Sequence, residues 1–211
     1  MSAQASRVIG LFATPVMHTP AAVDAATVGR LRARLEAHAL TANSQSAQLA
    51  HTAILDAQAD ADLAQLVQQL QGPVQTFGEL LFGAALPWLV KELWGNVLHA
   101  GGHQALHNHA NSLVSGVLYL SAVPAASRTV FVRAMGQPGY VFRHQQAGVP
   151  TGPFNGDKWV VPAVEPGDLV LFPSHLLHEV PPHDGAARVS LAFNAVPERL
   201  NASGYEVGFT R

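Results

Sequence analysis

Cysteine is absent from this 211-residue chain. That removes disulfide frameworks, thiolate nucleophiles and cysteine-based zinc or iron–sulfur sites together. Charge is scarce as well, at 12% of residues against about a quarter in ordinary soluble domains. Lys+Arg number 12 and Asp+Glu 14, for a net charge of −2. A chain without a basic surplus is not expected to bind nucleic acid or an anionic membrane electrostatically. The longest apolar run, Leu80 to Val90, has eleven residues and contains Gly83 and Pro87. A membrane-spanning helix needs roughly 18 or more. The N-terminus carries a single basic residue, Arg7, before an apolar run broken by Thr14 and Pro15. It is a poor secretory signal, and a cytoplasmic protein is expected.

What the chain has in quantity is apolar residues and histidine. Hydrophobic residues reach 48%, enough for a sizeable core, and the length suits one domain spanning 1–211. The low charge fraction is read as a buried apolar interface, and so as a homodimer. Histidine occurs 11 times, and eight of these fall between His99 and His183. With cysteine gone, imidazole is the obvious transition-metal ligand.

The first third reads as helical support, over about residues 20–85. From Asp24 to His38, Val28, Leu31 and Leu35 recur at helical spacing. Thr41 to Gln48 is small and polar, a loop. From Asp60, the positions Leu63, Leu66, Val67, Leu70, Val74, Phe77 and Leu81 keep one face apolar through Gly72-Pro73. The unbroken phase predicts either one helix kinked at Pro73 or two helices on one surface. Val8 to Val16 reads as an extended lead-in.

The second half, about residues 90–200, reads as β. Ser112–Leu120, Thr129–Arg133, Trp159–Val164, Leu169–Phe172 and Arg188–Val196 are short segments rich in β-branched and aromatic residues. Turn chemistry such as Glu165-Pro166-Gly167-Asp168 bounds them. Gly136 to Lys158 reads as a long loop of the kind that closes over a site. The expected fold is mainly β, a jelly roll buttressed by N-terminal helices.

Four residues then claim a chemical role. In an extended strand His107 and His109 would share a face, offering a metal two ligands from one element. His178, 69 residues after His109, follows a strand and precedes Pro181-Pro182. His175 and His183 sit in turns, and Glu179 would point to the opposite face from His178. In Arg188 to Asn194, the even positions are Arg, Ser, Ala and Asn, and the odd ones are Val, Leu and Phe. A small polar face carrying an arginine suits a carboxylate ligand; an edge strand wetted on one side would show the same pattern.

The chain resembles the iron(II)/2-oxoglutarate-dependent oxygenases, closest to a bacterial and phage branch with a His-x-His motif. The resemblance rests on LFATPV near the start, on Trp94 and Asn96, and on HNHANSLVSGVLYL (His107–Leu120). It continues through VEPGDLVLFPSHLLHEVPP (Val164–Pro182) and RVSLAFN (Arg188–Asn194). It implies a double-stranded β-helix with iron(II) at its mouth, 2-oxoglutarate as co-substrate and O2 as oxidant. It also implies that His107 and His178 are iron ligands and that Arg188 holds the distal carboxylate of 2-oxoglutarate. Ser190 lies beside that arginine, and Tyr119 is within reach of the co-substrate. The implied reaction decarboxylates 2-oxoglutarate to succinate and oxidises an unactivated C–H bond of a small molecule, with hydroxylation the default outcome.

The wider superfamily carries His-x-Asp or His-x-Glu where this chain has His107-Asn108-His109. Either His109 replaces the carboxylate, which strand geometry favours, or it stands outside the metal's ligands; a register using His109 with Asn111 is a third reading. Asn96, Gln104, Asn111, Arg133, Arg143 and Trp159 are candidate pocket residues. Two rivals remain at this point. One is a three-histidine cupin that makes no use of 2-oxoglutarate, and the other is a non-catalytic ligand-binding jelly roll.

Overall fold

The structure is a computed structural model that describes residues 10–38, 40–133, 147–148, 150, 152–153, 155–182 and 185–209. Two helices come first, each started by an aspartate. Asp24 accepts from the Ala26 and Thr27 amides at the head of α1 (Ala25–Ala37), and Asp60 accepts from Leu63 N at the head of α2 (Ala61–Phe82). Such caps satisfy amides that the first turn leaves without partners. α2 ends at Gly83, whose φ of 68° closes the last turn in the left-handed region. Pro73 lies inside α2, so the second stretch is one helix. Leu70, Val74 and Phe77 bury one face on both sides of it, and that packing offsets the hydrogen bond the proline removes.

Both helices cover the outer face of a seven-stranded antiparallel sheet. Its order is β1 (Met17–Thr19), β9 (Leu169–Pro173), β6 (Val114–Tyr119), β11 (Arg188–Pro197), β4 (Trp88–Leu98), β3 (Leu49–His51) and β2 (Thr41–Ala42). Leu31, Leu35, Leu66 and Phe77 from the helices meet Leu93, Leu118, Leu171, Leu191 and Phe193 from the sheet in one core. Helix and strand approach so closely that a Cβ on Gly78 would lie 2.3 Å from the Trp88 ring. The inner face looks onto a four-stranded sheet, ordered β5 (Gln104–His107), β10 (Leu177–Val180), β7 (Val130–Val132) and β8 (Lys158–Val160). Phe131, Tyr119, Phe172 and Val170 fill the space between the sheets. This is the jelly roll buttressed by helices that the sequence leads one to expect. Among the described residues, no helix is long and apolar enough to cross a membrane.

Several details differ from the sequence reading. Thr41–Gln48 is not wholly a loop: Thr41 and Ala42 pair with His51 and Ala50, extending the sheet edge. β4, eleven residues long, was not anticipated, and its pairing with β11 explains why. Val90 opposes Ala195 and Glu92 opposes Asn194, so Lys91 is an extra, bulged residue. The bulge moves the core-facing residues from Trp88 and Val90 to Leu93, Gly95 and Val97, which breaks the alternation that marks a strand. The short strand β1 and the closing hairpin of β12 (Arg199–Ala202) and β13 (Tyr205–Gly208) were also unread. Of the extended lead-in, Val8 and Ile9 lie outside the described residues, as does most of the Gly136–Lys158 loop.

Candidate metal centre

Three imidazoles converge where the two sheets open. His107 ends β5 and His178 lies in β10; the two are direct cross-strand partners with ring centroids 4.2 Å apart. His109 sits two residues beyond the end of β5, so it does not share a strand face with His107 as the sequence suggests. It reaches the same spot from a loop, held by its amide 2.9 Å from the Ser174 carbonyl and by its ring against Trp94. One potential ligand nitrogen from each of the three lies within 4.8 Å of the others.

Hydrogen bonds fix two of the tautomers. His107 Nδ1 lies 2.8 Å from the Ala105 carbonyl and His178 Nδ1 lies 2.9 Å from the Leu176 carbonyl. A carbonyl only accepts, so each Nδ1 carries the proton and each Nε2 presents a lone pair. At His107 that lone pair receives the Gln104 amide at 3.2 Å. Burial pushes His178 down to about 3 and His109 down to about 4, with neighbouring imidazoles adding to both shifts, and burial lowers His107 too. All three are therefore neutral at physiological pH, the form in which imidazole binds a metal.

Folding stability depends on pH as a result. The folded chain holds fewer of these protons than the unfolded chain, whose histidines titrate near 6.5. Stability is then present above pH 6.5 and is lost as the pH falls toward the folded values, by up to about 1.4 kcal/mol per pH unit for each group. The urea midpoint of the metal-free protein is expected to drop from about pH 6.5 to 4, and His178→Ala should flatten the slope. A pH dependence unaltered by His178→Ala would show that the lost stability lies elsewhere.

The pocket around the histidines continues along β11. Arg188, Ser190 and Ala192 line it, while Val189, Leu191 and Phe193 enter the core behind, so the alternation read from the sequence holds. Arg188 is only 4% exposed, and no carboxylate pairs with it among the described residues. Its Nη2 donates to Thr129 Oγ1 at 3.4 Å, its Cζ lies 5.3 Å from the Tyr119 ring centroid, and among the described residues its Nε has no partner. The Tyr119 hydroxyl lies 3.2 Å from the same Thr129 oxygen. Burial lowers the arginine's pKa, though not enough to discharge a guanidinium. A buried charge with an unused donor is costly unless an anion completes it.

The other candidates separate cleanly. Asn96 and Gln104 line the pocket. Trp159 stacks on Phe131 at the edge of the smaller sheet and is 48% exposed. Arg133 and Asn111 are exposed, and Asn111 is not among the residues lining the pocket. His175 is exposed and outside the histidine cluster, and Glu179 turns away from the cluster to pair with Lys158 at 2.6 Å. Arg143 and His183 lie outside the described residues. Sequence reasoning misses Thr129, the hydroxyl that partners Arg188; its only signal is its place immediately before β7, where it lines the pocket.

Residues 92–194 match the family model described as "Putative 2OG-Fe(II) oxygenase". That segment, just under half of the chain, contains all three histidines and Arg188, and the family it matches is one of oxygenases that use iron(II), 2-oxoglutarate and O2. No curated protein sequence matches the chain. Among solved structures, HygX from Streptomyces hygroscopicus with nickel and 2-oxoglutarate bound shares the fold. Its TM-score is 0.63 at 17% identity, covering 87% of this chain and 83% of that one. The epimerase SnoN from nogalamycin biosynthesis, described as non-heme and alpha ketoglutarate dependent, has a TM-score of 0.64 at 18% identity, covering 88% and 80%. A 2OG-Fe(II) oxygenase family oxidoreductase from Burkholderia pseudomallei has a TM-score of 0.59 at 16% identity, covering 85% and 83%.

Proposed function

We propose that His107, His109 and His178 hold iron(II) and that Arg188 grips the distal carboxylate of 2-oxoglutarate. The observation that carries this reading is the buried Arg188, whose Nε–H has no partner among the described residues, in the same pocket as three neutral imidazoles. Thr129 and Tyr119 hold the guanidinium in place, and Ser190 offers a second donor beside it. The donor set fits the metal: neutral imidazoles suit iron, and three of them leave other coordination positions for a chelating co-substrate and oxygen. When bound, the iron supplies the coupling of 2-oxoglutarate decarboxylation to C–H oxidation.

The chain's own residues do the positioning. The Ala105 and Leu176 carbonyls aim the Nε2 atoms of His107 and His178, and the pocket walls Phe172, Val180 and Ala192 keep water away. Gln104 must release His107 Nε2 when the metal enters, leaving its amide free in the pocket to meet a ligand. The substrate is a small organic molecule, the class that HygX binds as hygromycin B. A three-histidine cupin acting without 2-oxoglutarate would leave Arg188 buried with no anion to bind. The test is succinate formation from 2-oxoglutarate by the iron(II)-loaded protein in air. Iron-dependent succinate supports the reading, and its absence across a broad substrate panel rejects it.

His109 stands where the superfamily places a carboxylate. His109→Ala is expected to weaken metal binding by more than the roughly 10- to 100-fold typical of supporting partners, and to stop turnover. His109→Asp is expected to retain the metal and part of the activity. Calorimetric metal titration checks both, and full activity in His109→Ala would place His109 outside the ligand set.

A further inference from the structure

His109 lies beyond β5, and among the described residues no hydrogen bond is made by its ring; besides the ring's contact with Trp94, it is held by its backbone N–H, which donates to the Ser174 carbonyl at 2.9 Å. Ser174 is fully buried, and its own N–H donates to Leu113 O at 3.1 Å. From there a line of polar side chains, buried at Ser174, Ser115 and Asn194 and reaching the half-buried Glu92, crosses the larger sheet. Ser174 Oγ lies 2.9 Å from Ser115 Oγ, Ser115 Oγ donates to Asn194 Oδ1 at 2.8 Å, and Asn194 Nδ2 donates to Glu92 Oε2 at 2.7 Å. Glu92, Asn194 and Ser115 are direct cross-strand partners on β4, β11 and β6, so one row of the sheet carries all three.

We infer that Glu92, Asn194, Ser115 and Ser174 form a one-way hydrogen-bond relay that positions His109 for the metal, with Glu92 setting its direction; this rests on His109 being a ligand. The direction follows from donor counting. An ionised carboxylate only accepts, so Asn194 must turn its NH2 toward Glu92 and its Oδ1 toward Ser115. Ser115 has one proton, which goes to Asn194, so Ser174 must donate to Ser115. Each link is fixed by the one before it, and such chains strengthen cooperatively. With a neutral amide at position 92 the Asn194 side chain could turn over, and the relay would have two directions of similar energy.

The bulge in β4 makes Glu92 more than the end of a row. It places Lys91 beside Glu92, with Nζ 3.2 Å from Oε1, and the same ammonium donates to the Asn111 carbonyl at 3.0 Å. β4 thus ties down the His109 loop twice, through Lys91 after the histidine and through the relay to Ser174, whose backbone carbonyl accepts from the histidine's own N–H. The turn that includes Ser174 also supplies the Leu176 carbonyl that orients His178, so the relay ends on the segment holding two of the three imidazoles. Glu92 is a positioning residue, because both its oxygens are engaged by Asn194 and Lys91.

The test is a double-mutant cycle read by calorimetric titration of the full-length protein with nickel(II), which needs neither oxygen nor turnover. Glu92→Gln, nearly isosteric, is expected to weaken nickel(II) binding about 10-fold, and Ser115→Ala by a similar factor. In a His109→Ala background both losses are expected to vanish, because the residue they position is gone. A loss of the same size in both backgrounds overturns the relay in favour of a general structural effect. A large loss in His109→Ala with none in Glu92→Gln overturns the relay while leaving the ligand assignment intact. Unchanged nickel(II) affinity in His109→Ala itself overturns the ligand assignment and the relay with it.

Discussion

His178→Ala is expected to abolish stoichiometric iron(II) binding. His178 is 4% exposed, packed against Phe172 at 4.7 Å and aimed by the Leu176 carbonyl at 2.9 Å. A side chain so fully prepared loses little entropy when a metal arrives, and its removal leaves only His107 and His109 as imidazole donors. Supporting partners of metal ligands cost roughly 10- to 100-fold in affinity when removed, so loss of a ligand itself should cost more. Metal content after anaerobic loading and desalting measures this directly, with far-ultraviolet circular dichroism to confirm the fold. Iron retained at one equivalent by His178→Ala would remove this residue from the site.

The second large effect is expected at Arg188. A charge-assisted bond from guanidinium to carboxylate contributes on the order of 2–3 kcal/mol, or roughly 30- to 200-fold in affinity. Arg188→Ala is expected to weaken 2-oxoglutarate binding by about that factor while iron(II) still binds, because the arginine touches none of the three imidazoles by any hydrogen bond. Arg188→Lys keeps the charge and loses the planar fork that Thr129 and Tyr119 hold, so it should fall between the two. Titrating 2-oxoglutarate into each anaerobic iron(II) protein separates these outcomes. Equal midpoints for Arg188→Ala and the unaltered chain would free the co-substrate from this residue.

Where period and phase survive along a strand, the sequence was readable. RVSLAFN alternates without interruption through β11, so the pocket face of Arg188, Ser190 and Ala192 could be separated from the core face of Val189, Leu191 and Phe193. The helices were readable for the same reason, since Leu63 through Phe77 hold one phase across Pro73. β4 was not, because the bulge at Lys91 switches its phase midway. His109 was placed in the site on the premise of a continuous strand, yet the strand stops at His107 and the loop delivers the ring instead. The relay behind it joins residues 92, 115, 174 and 194, whose proximity is a product of sheet register and has no local signature. Thr129 is a similar case: a lone hydroxyl acquires meaning only when Arg188 is brought beside it.

We propose that one pocket holds both iron(II), on three histidines, and 2-oxoglutarate, on Arg188. Both halves are tested together by adding 2-oxoglutarate to the iron(II)-loaded protein without oxygen and recording the visible spectrum. A charge-transfer band from the chelated co-substrate is expected, lost in His178→Ala and shifted to higher 2-oxoglutarate concentration in Arg188→Ala. A protein that binds iron(II) stoichiometrically yet shows no band at saturating 2-oxoglutarate would contradict it.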